Sequence, residues 1–479
     1  MADVAKPADV AKPADTAKPA DSTEKDLVVI GSGPGGYTAA IRAAQLGLKV
    51  AVVERDAVGG ICTNWGCIPT KALLRTAEII ETLKHADEFG IVVEGVKPDF
   101  DKVIARSRSV AEKNSKGIEY LFKKNKIELI RGTAKLTKSG NRAALTVDGK
   151  ALAAKNILLA TGARPKPLPG IEHDGKSIIS YKEAMALKTK PARLVIIGAG
   201  AIGVEFAYFY NQLGTKVTLL EALPQILPVE DEEVAAALAK RFKATGIEVQ
   251  TGVKVERVEK GATVIVHLAG GAKVEAEQCL LAAGVRGNVE GIGLEECGVK
   301  LDRGFISVDL KSYRTSVENV FAIGDVIGPP MLAHKASAEA IACVEVMAKH
   351  KVHAVNYSAI PGCTYCHPEI ASVGLTEKKA KEAGLKFKIG RFPFMASGKA
   401  RAAGETDGFV KVLVGDPHGE ILGAHIIGGA STDMIATLTL AASNELTSDE
   451  ILSTVHAHPT FAEAMKEAVA AALGEAIDI

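Results

Sequence analysis

Asp26-Leu27-Val28-Val29-Ile30-Gly31-Ser32-Gly33-Pro34-Gly35-Gly36 decides how this 479-residue chain is read. An apolar run of strand length that feeds clustered glycines predicts a buried strand turning sharply into a helix. Ala39, Ala40, Ile41, Ala43, Ala44 and Leu46 follow, small enough on one face to bring that helix close to a sheet. Lys49-Val50-Ala51-Val52-Val53 is the next strand, and it ends at Glu54. In such a βαβ unit the glycines differ in what they do. Gly31 makes the tight turn, Gly33 lets a pyrophosphate approach backbone N–H groups, and Gly36 lets helix pack on strand. Glu54 would accept hydrogen bonds from a ribose.

The unit recurs. Arg193-Leu194-Val195-Ile196-Ile197 runs into Gly198-Ala199-Gly200-Ala201-Ile202-Gly203, a helix is expected through Leu213, and Lys216–Leu220 ends at Glu221. Two complete fingerprints imply two dinucleotides and an α/β fold with two Rossmann-like dinucleotide-binding domains. A carboxylate at Glu221 suits a free ribose 2′-hydroxyl and repels a 2′-phosphate, and no arginine lies among the next ten residues. This favours NAD over NADP; the plainer reading of Glu221 is a solvated charge at a strand end.

Between the fingerprints stands Gly59-Gly60-Ile61-Cys62-Thr63-Asn64-Trp65-Gly66-Cys67-Ile68-Pro69-Thr70-Lys71. A disulfide across so short a loop removes little chain entropy, so the pair reads as an electron-exchanging dithiol more than as a staple. Cys67 leads into a helix start with proline in its first turn, where the dipole lowers a thiol pKa.

Composition narrows the function classes. Charges balance at 58 basic against 57 acidic residues and aromatics make up 5%, so neither nucleic acid nor an anionic membrane is an expected partner. Seven cysteines are too few and too irregular for a secreted disulfide scaffold. No apolar run is long enough to span a bilayer and no signal or transit pattern is evident, so a cytoplasmic protein is expected. Ala-Asp-Val-Ala-Lys-Pro at 2–7 and 8–13, then Ala-Asp-Thr-Ala-Lys-Pro at 14–19, predict a semi-extended, solvated linker over 1–23. It reads as a dispensable tail or as a tether to other subunits.

With Ala160-Thr161-Gly162, Ala322-Ile323-Gly324-Asp325 and His458-Pro459-Thr460 added, the chain resembles the flavin-dependent pyridine nucleotide–disulfide oxidoreductases over residues 24 to about 475. Leu332-Ala333-His334-Lys335-Ala336 and Tyr365-Cys366-His367-Pro368-Glu369 support the resemblance. The dihydrolipoamide-oxidising branch fits best. The resemblance implies that Gly31, Gly33, Gly36, Glu54, Lys71, Gly162, Asp325 and Ala333 hold FAD, and that Gly198, Gly200, Gly203, Glu205, Glu221 and Gly284 belong with NAD. Lys71 would sit near flavin N5 with Glu205 as its ion-pair partner, and Asp325 would bond the ribityl chain. Taken alone, Lys71 and Glu205 read as surface helix charges and Asp325 as a turn residue. Cys62 would be the interchange thiol and Cys67 would face the flavin. His458 would be the base, oriented by Glu463 and supplied by the neighbouring subunit of a homodimer. Glu463 has a second reading, since Thr460-Phe461-Ala462-Glu463 is also a capping box before a helix Ala464–Leu473.

The implied organisation is a linker (1–23), an FAD-binding domain (24–168), an NAD-binding domain (169–290), a central segment completing the FAD site (291–355) and a C-terminal α+β dimerisation domain (356–479). Implied partners are the lipoyl domains of E2 or of the H-protein, with the E2 peripheral-subunit-binding domain as a further one. A glutathione or trypanothione reductase would prefer NADP, against Glu221. A mercuric reductase would end in vicinal cysteines, whereas this chain ends Ala476-Ile477-Asp478-Ile479. A non-catalytic scaffold has no need of a Cys–Cys–His set. Ile61, Trp65 and Thr70 stand where the family commonly has Thr, Val and Ser. Cys363-Thr364-Tyr365-Cys366 is not required by the family, and with Cys279, Cys297 and Cys343 it is expected to be structural or incidental, with no metal site.

Overall fold

The computed structural model describes residues 24–479, so the expected linker over 1–23 lies outside the described residues. Five strands form the first parallel sheet, in the order Val320–Ala322, Ala154–Leu159, Lys25–Ile30, Val50–Glu54, Glu128–Arg131. Its centre is fully apolar because both faces are covered, one by helices such as Pro34–Gln45 and the other by the antiparallel strands Ala134–Ser139 and Arg142–Val147: Leu27, Val28, Val29, Val52, Ile157 and Leu158 have no solvent exposure. Each such side chain contributes about 1.5–3 kcal/mol of burial. Helix Pro34–Gln45 packs on this sheet and puts Ala39, Ala40 and Ala43 inward, as the small-residue stripe predicts.

The second sheet repeats the plan, in the order Glu248–Gln250, Lys216–Leu220, Arg193–Ile197, Gln278–Leu281, Ile178–Ile179, again parallel. Helix Ala201–Gln212 follows its fingerprint. A short antiparallel pair, Ala163–Pro165 with Val285–Gly287, ties the two halves at their strand ends. Val320–Ala322 pairs with Ala154–Leu159, so the chain returns to the first sheet after completing the second.

The C-terminal part is α+β. Gly362–Thr364, Glu369–Gly374, Ile421–Gly428, Phe409–Gly415 and Phe387–Pro393 make an antiparallel sheet in that order. Helix Glu463–Leu473 lies against its edge strand, and a Cβ at Gly390 would collide with the Ala468 carbonyl oxygen. Among the described residues no helix is long and apolar enough to cross a membrane.

One buried cation locks this sheet to the second Rossmann half. Lys411, 1% exposed, places Nζ 2.9 Å from Asp231 Oδ1, 2.7 Å from Glu233 Oε1 and 2.7 Å from Glu377 Oε2. Asp231 also caps helix Glu232–Ala244 by accepting from the Glu233 amide. Lys411→Met is expected to lower the unfolding free energy by about 3–5 kcal/mol, because the buried Asp231 carboxylate loses its countercharge. Urea unfolding measures this; a loss under about 1 kcal/mol would make the cluster no stronger than a surface pair. Hydrogen bonding from Arg391, then from Lys411, holds Glu233 down to about 2 against the cost of burial. That contribution is complete above the unfolded carboxyl value of about 4.3 and fades as pH falls toward the folded one. The acid limb of the stability curve should therefore be shallower in the variant.

Candidate active site

The dithiol sits at a break between two helices. Gly60–Trp65 ends at Gly66, and Cys67 is the first residue of helix Cys67–Lys84. Cys62 and Cys67 form a disulfide with Cα atoms 4.6 Å apart. Thr70 Oγ1 donates to the Gly66 carbonyl at 2.7 Å and fixes the break. Once the bond opens, a thiolate on Cys67 faces the positive end of an 18-residue helix.

Lys71 lies one turn after Cys67, on the same helix face. Its ammonium donates to Glu205 Oε1 at 3.0 Å and Oε2 at 3.1 Å. Nζ also stands 4.1 Å from the centre of the Tyr365 ring, and the Tyr365 amide donates to Glu205 Oε1 at 3.0 Å. Glu205 rides on the helix of the second fingerprint, but its carboxylate is turned toward Lys71, so its contacts belong to the dithiol side. Tyr365 had no role assigned from sequence; its ring face and amide complete the Lys71 environment. Trp65 is flanked by two cations, Arg108 at 4.6 Å and Lys182 at 4.8 Å.

The two fingerprints are built alike. A Cβ on Gly36 would strike the Gly31 carbonyl oxygen, and one on Gly203 would strike that of Gly198. Gly31 and Gly198 have φ of +97° and +102°, a region open to glycine. Ser32 N donates to Glu54 at 2.9 Å and Ala199 N donates to Glu221 at 2.8 Å, each across 22 residues. Asp56 N at 2.9 Å and Leu223 N at 2.9 Å hold the second oxygens. Gly162, Gly200 and Gly284 have no atom within 4 Å of a built Cβ. Bare helix starts, open glycine turns and an acid at each second strand suit two dinucleotides. The family resemblance assigns Lys71 and Asp325, a cation and an acceptor, to the first of these. Burial holds the Asp325 carboxyl above its ordinary range, with Lys335 pulling it down and Glu339 pushing it up. Ala333 opens helix Ala333–Met347 close by.

Glu463 does both things the sequence left open. Its Oε1 lies 2.8 Å from His458 Nδ1, and its Oε2 accepts from the Thr460 amide at 2.8 Å. The capping box is only half formed, because the Thr460 hydroxyl donates to the Ala457 carbonyl and the helix begins at Glu463. The His458 side chain is 79% exposed, and among the described residues no hydrogen bond or ion pair joins it to the cysteines. The other cysteines are unpaired thiols. Cys366 donates to the Pro368 carbonyl, and burial pushes Cys363 up to about 11 against the opposing pull of the Tyr365 hydroxyl.

Residues 25–340 match the pyridine nucleotide-disulphide oxidoreductase family, and residues 360–469 match its dimerisation domain. The chain belongs to that family. This oxidoreductase is 48% identical to a dihydrolipoyl dehydrogenase of Rhizobium etli, over 95% of this chain and 99% of that protein. It is 50% identical to one of Zymomonas mobilis, over 94% and 98%. A mitochondrial dihydrolipoyl dehydrogenase of Schizosaccharomyces pombe is 41% identical over 94% of this chain and 90% of that protein. Among solved structures, LpdA from Mycobacterium tuberculosis superposes with a TM-score of 0.86 at 27% identity, covering 92% of this chain and 98% of that one. FAD and NAD are the cofactors of such oxidoreductases, and the dimerisation domain supports a homodimer.

Proposed function

We propose that this chain oxidises dihydrolipoamide to lipoamide and passes the electrons through the Cys62–Cys67 disulfide and FAD to NAD. The observation that carries this reading is a disulfide closing at the first residue of a helix, one turn before the Lys71–Glu205 pair. His458, with Nδ1–H held by Glu463, has Nε2 free to take a proton from a substrate thiol. The substrate thiolate attacks Cys62 Sγ, the Cys62–Cys67 bond breaks, and its electron pair leaves on Cys67 at the helix start. The second substrate sulfur then displaces Cys62, so substrate departs as a disulfide and the enzyme retains two electrons. Bound FAD supplies two-electron transfer from the dithiol to the nicotinamide. Lys71, oriented by Glu205 and Tyr365, places positive charge on the flavin side. Glu221 favours the unphosphorylated ribose.

The exposure of His458, with no bond to its own dithiol among the described residues, supports a base supplied by the second copy of a homodimer. Lipoyl domains of E2 or of an H-protein would deliver the dithiol, with the E2 peripheral-subunit-binding domain as a docking partner. A cytoplasmic setting suits the unpaired cysteines.

Anaerobic titration of the yellow holoprotein with dihydrolipoamide, then NAD, tests this. A long-wavelength thiolate–flavin absorbance is expected first, then NADH. A flavin bleached by NADH but untouched by dihydrolipoamide would leave a reductase with another substrate.

A further inference from the structure

Two charged side chains with almost no exposure lie beneath the flavin side of the molecule. Lys335 and Glu339, 1% and 0% exposed, are one turn apart on helix Ala333–Met347 and form an ion pair at 3.2 Å. The three N–H donors of Lys335 are all used, on the Gly324 carbonyl at 3.2 Å, the Gly328 carbonyl at 3.0 Å and Glu339. Glu339 Oε2 accepts from the Gly324 amide at 2.8 Å, and Oε1 also accepts from the Tyr357 hydroxyl at 2.8 Å. The pair therefore grips both polar groups of Gly324 and the carbonyl that ends the 3₁₀ turn Gly324–Ile327. Asp325 is the second residue of that turn, and among the described residues its carboxylate has no hydrogen-bond partner.

A buried ion pair is a poor means of gaining stability, since apolar residues of the same volume serve as well or better. Its use here is geometric. Resting on the reading that the first fingerprint and Asp325 take FAD, we infer that Lys335 and Glu339 are positioning residues that clamp the Gly324–Gly328 turn and hold the Asp325 carboxylate toward the flavin side chain. Helix Ala333–Met347 then does two jobs, since the residue that opens it, Ala333, belongs to the same site. Both residues act through Asp325 and do not touch the cofactor. The charged and titratable groups around Asp325 are Lys335 and Glu339 on this helix and Tyr181 from the second half, whose hydroxyl is pushed up to about 12 by burial and then by Asp325. Tyr357 and Tyr313 stand behind Glu339, their hydroxyls 3.3 Å apart.

The test compares wild-type holoprotein with Lys335→Met, Glu339→Gln and Glu339→Ala, reading FAD release by flavin fluorescence and folding by circular dichroism. Losing a charged hydrogen bond should weaken FAD retention about 10–100-fold in Lys335→Met and Glu339→Ala, and less in Glu339→Gln, which keeps an acceptor for the Gly324 amide. The pH at which flavin leaves on acidification should rise in Lys335→Met, where the cation favouring the Asp325 carboxylate is gone. It should fall in Glu339→Gln, where an opposing negative charge is gone. Variants that hold FAD like a yellow wild type overturn the clamp while leaving the FAD reading intact. Weakening without the opposed pH shifts reduces the pair to a fold element and also overturns it. A wild type that takes up no flavin overturns the parent reading itself.

Discussion

Replacing Cys67 by serine is expected to stop dihydrolipoamide-driven NAD reduction, by on the order of 10⁴-fold or more, because nucleophile and acceptor act as a unit. A hydroxyl cannot form the disulfide, so the substrate thiolate has no sulfur–sulfur bond to open. Cys62→Ser should be equally inactive, and the double variant no worse than either. The two differ in colour. With Cys62 gone, Cys67 remains as a thiolate at the helix start, one turn from Lys71, and should give a long-wavelength absorbance without any reductant. Cys67→Ser should lack that absorbance. Both variants should still oxidise NADH with an artificial acceptor, since that route bypasses the thiols. Neither should unfold the protein, because a loop this short contributes less than the roughly 3 kcal/mol of a 15-residue one. Activity surviving in Cys67→Ser would mean that electrons do not pass through this pair.

What could be read from the sequence divides along contact range. The Rossmann units were legible because their syntax is local: Gly31 to Gly36 and then Glu54, Gly198 to Gly203 and then Glu221, each acid bonded back to its glycine turn across 22 residues. Cys62 and Cys67 were legible for the same reason. Lys71 and Glu205, 134 residues apart, were paired only through the family resemblance, since nothing near either residue names the other. Lys411 and Asp231 lie 180 residues apart, and their chemistry depends on a tertiary burial that charge patterning cannot express. Lys335 and Glu339 left a faint signal, two opposite charges four residues apart in a helix that is mostly small and apolar. That pattern also fits a surface pair, and only the packing of the helix against the Gly324 turn separates the two. Thr460 shows the limit of local rules. Its hydroxyl had an equally short alternative in the Ala457 carbonyl and took it.

His458→Gln is the other large effect, about 10²–10⁴-fold on dihydrolipoamide oxidation, with NADH oxidation by an artificial acceptor unchanged. Glu463→Gln should cost about 10–100-fold, the worth of one charged hydrogen bond, while its amide oxygen still accepts from the Thr460 amide. Burial opposes ionisation of Glu463, yet hydrogen bonds from the Thr460 amide and His458 hold its carboxyl below the ordinary range. The carboxylate therefore stays charged through the neutral range and keeps the proton of His458 on Nδ1. Among the described residues of one chain no hydrogen bond or ion pair joins His458 to the dithiol, so the decisive measurement is on mixed dimers. Pairing a Cys62→Ser chain with a His458→Gln chain leaves one site with cysteine and histidine both intact if the base crosses the interface, and none if it acts within its own chain. Isolated heterodimers should therefore recover about half of wild-type activity, as expected for the two equivalent sites of a twofold dimer. Heterodimers as dead as either parent would place the base, or the dithiol it serves, elsewhere.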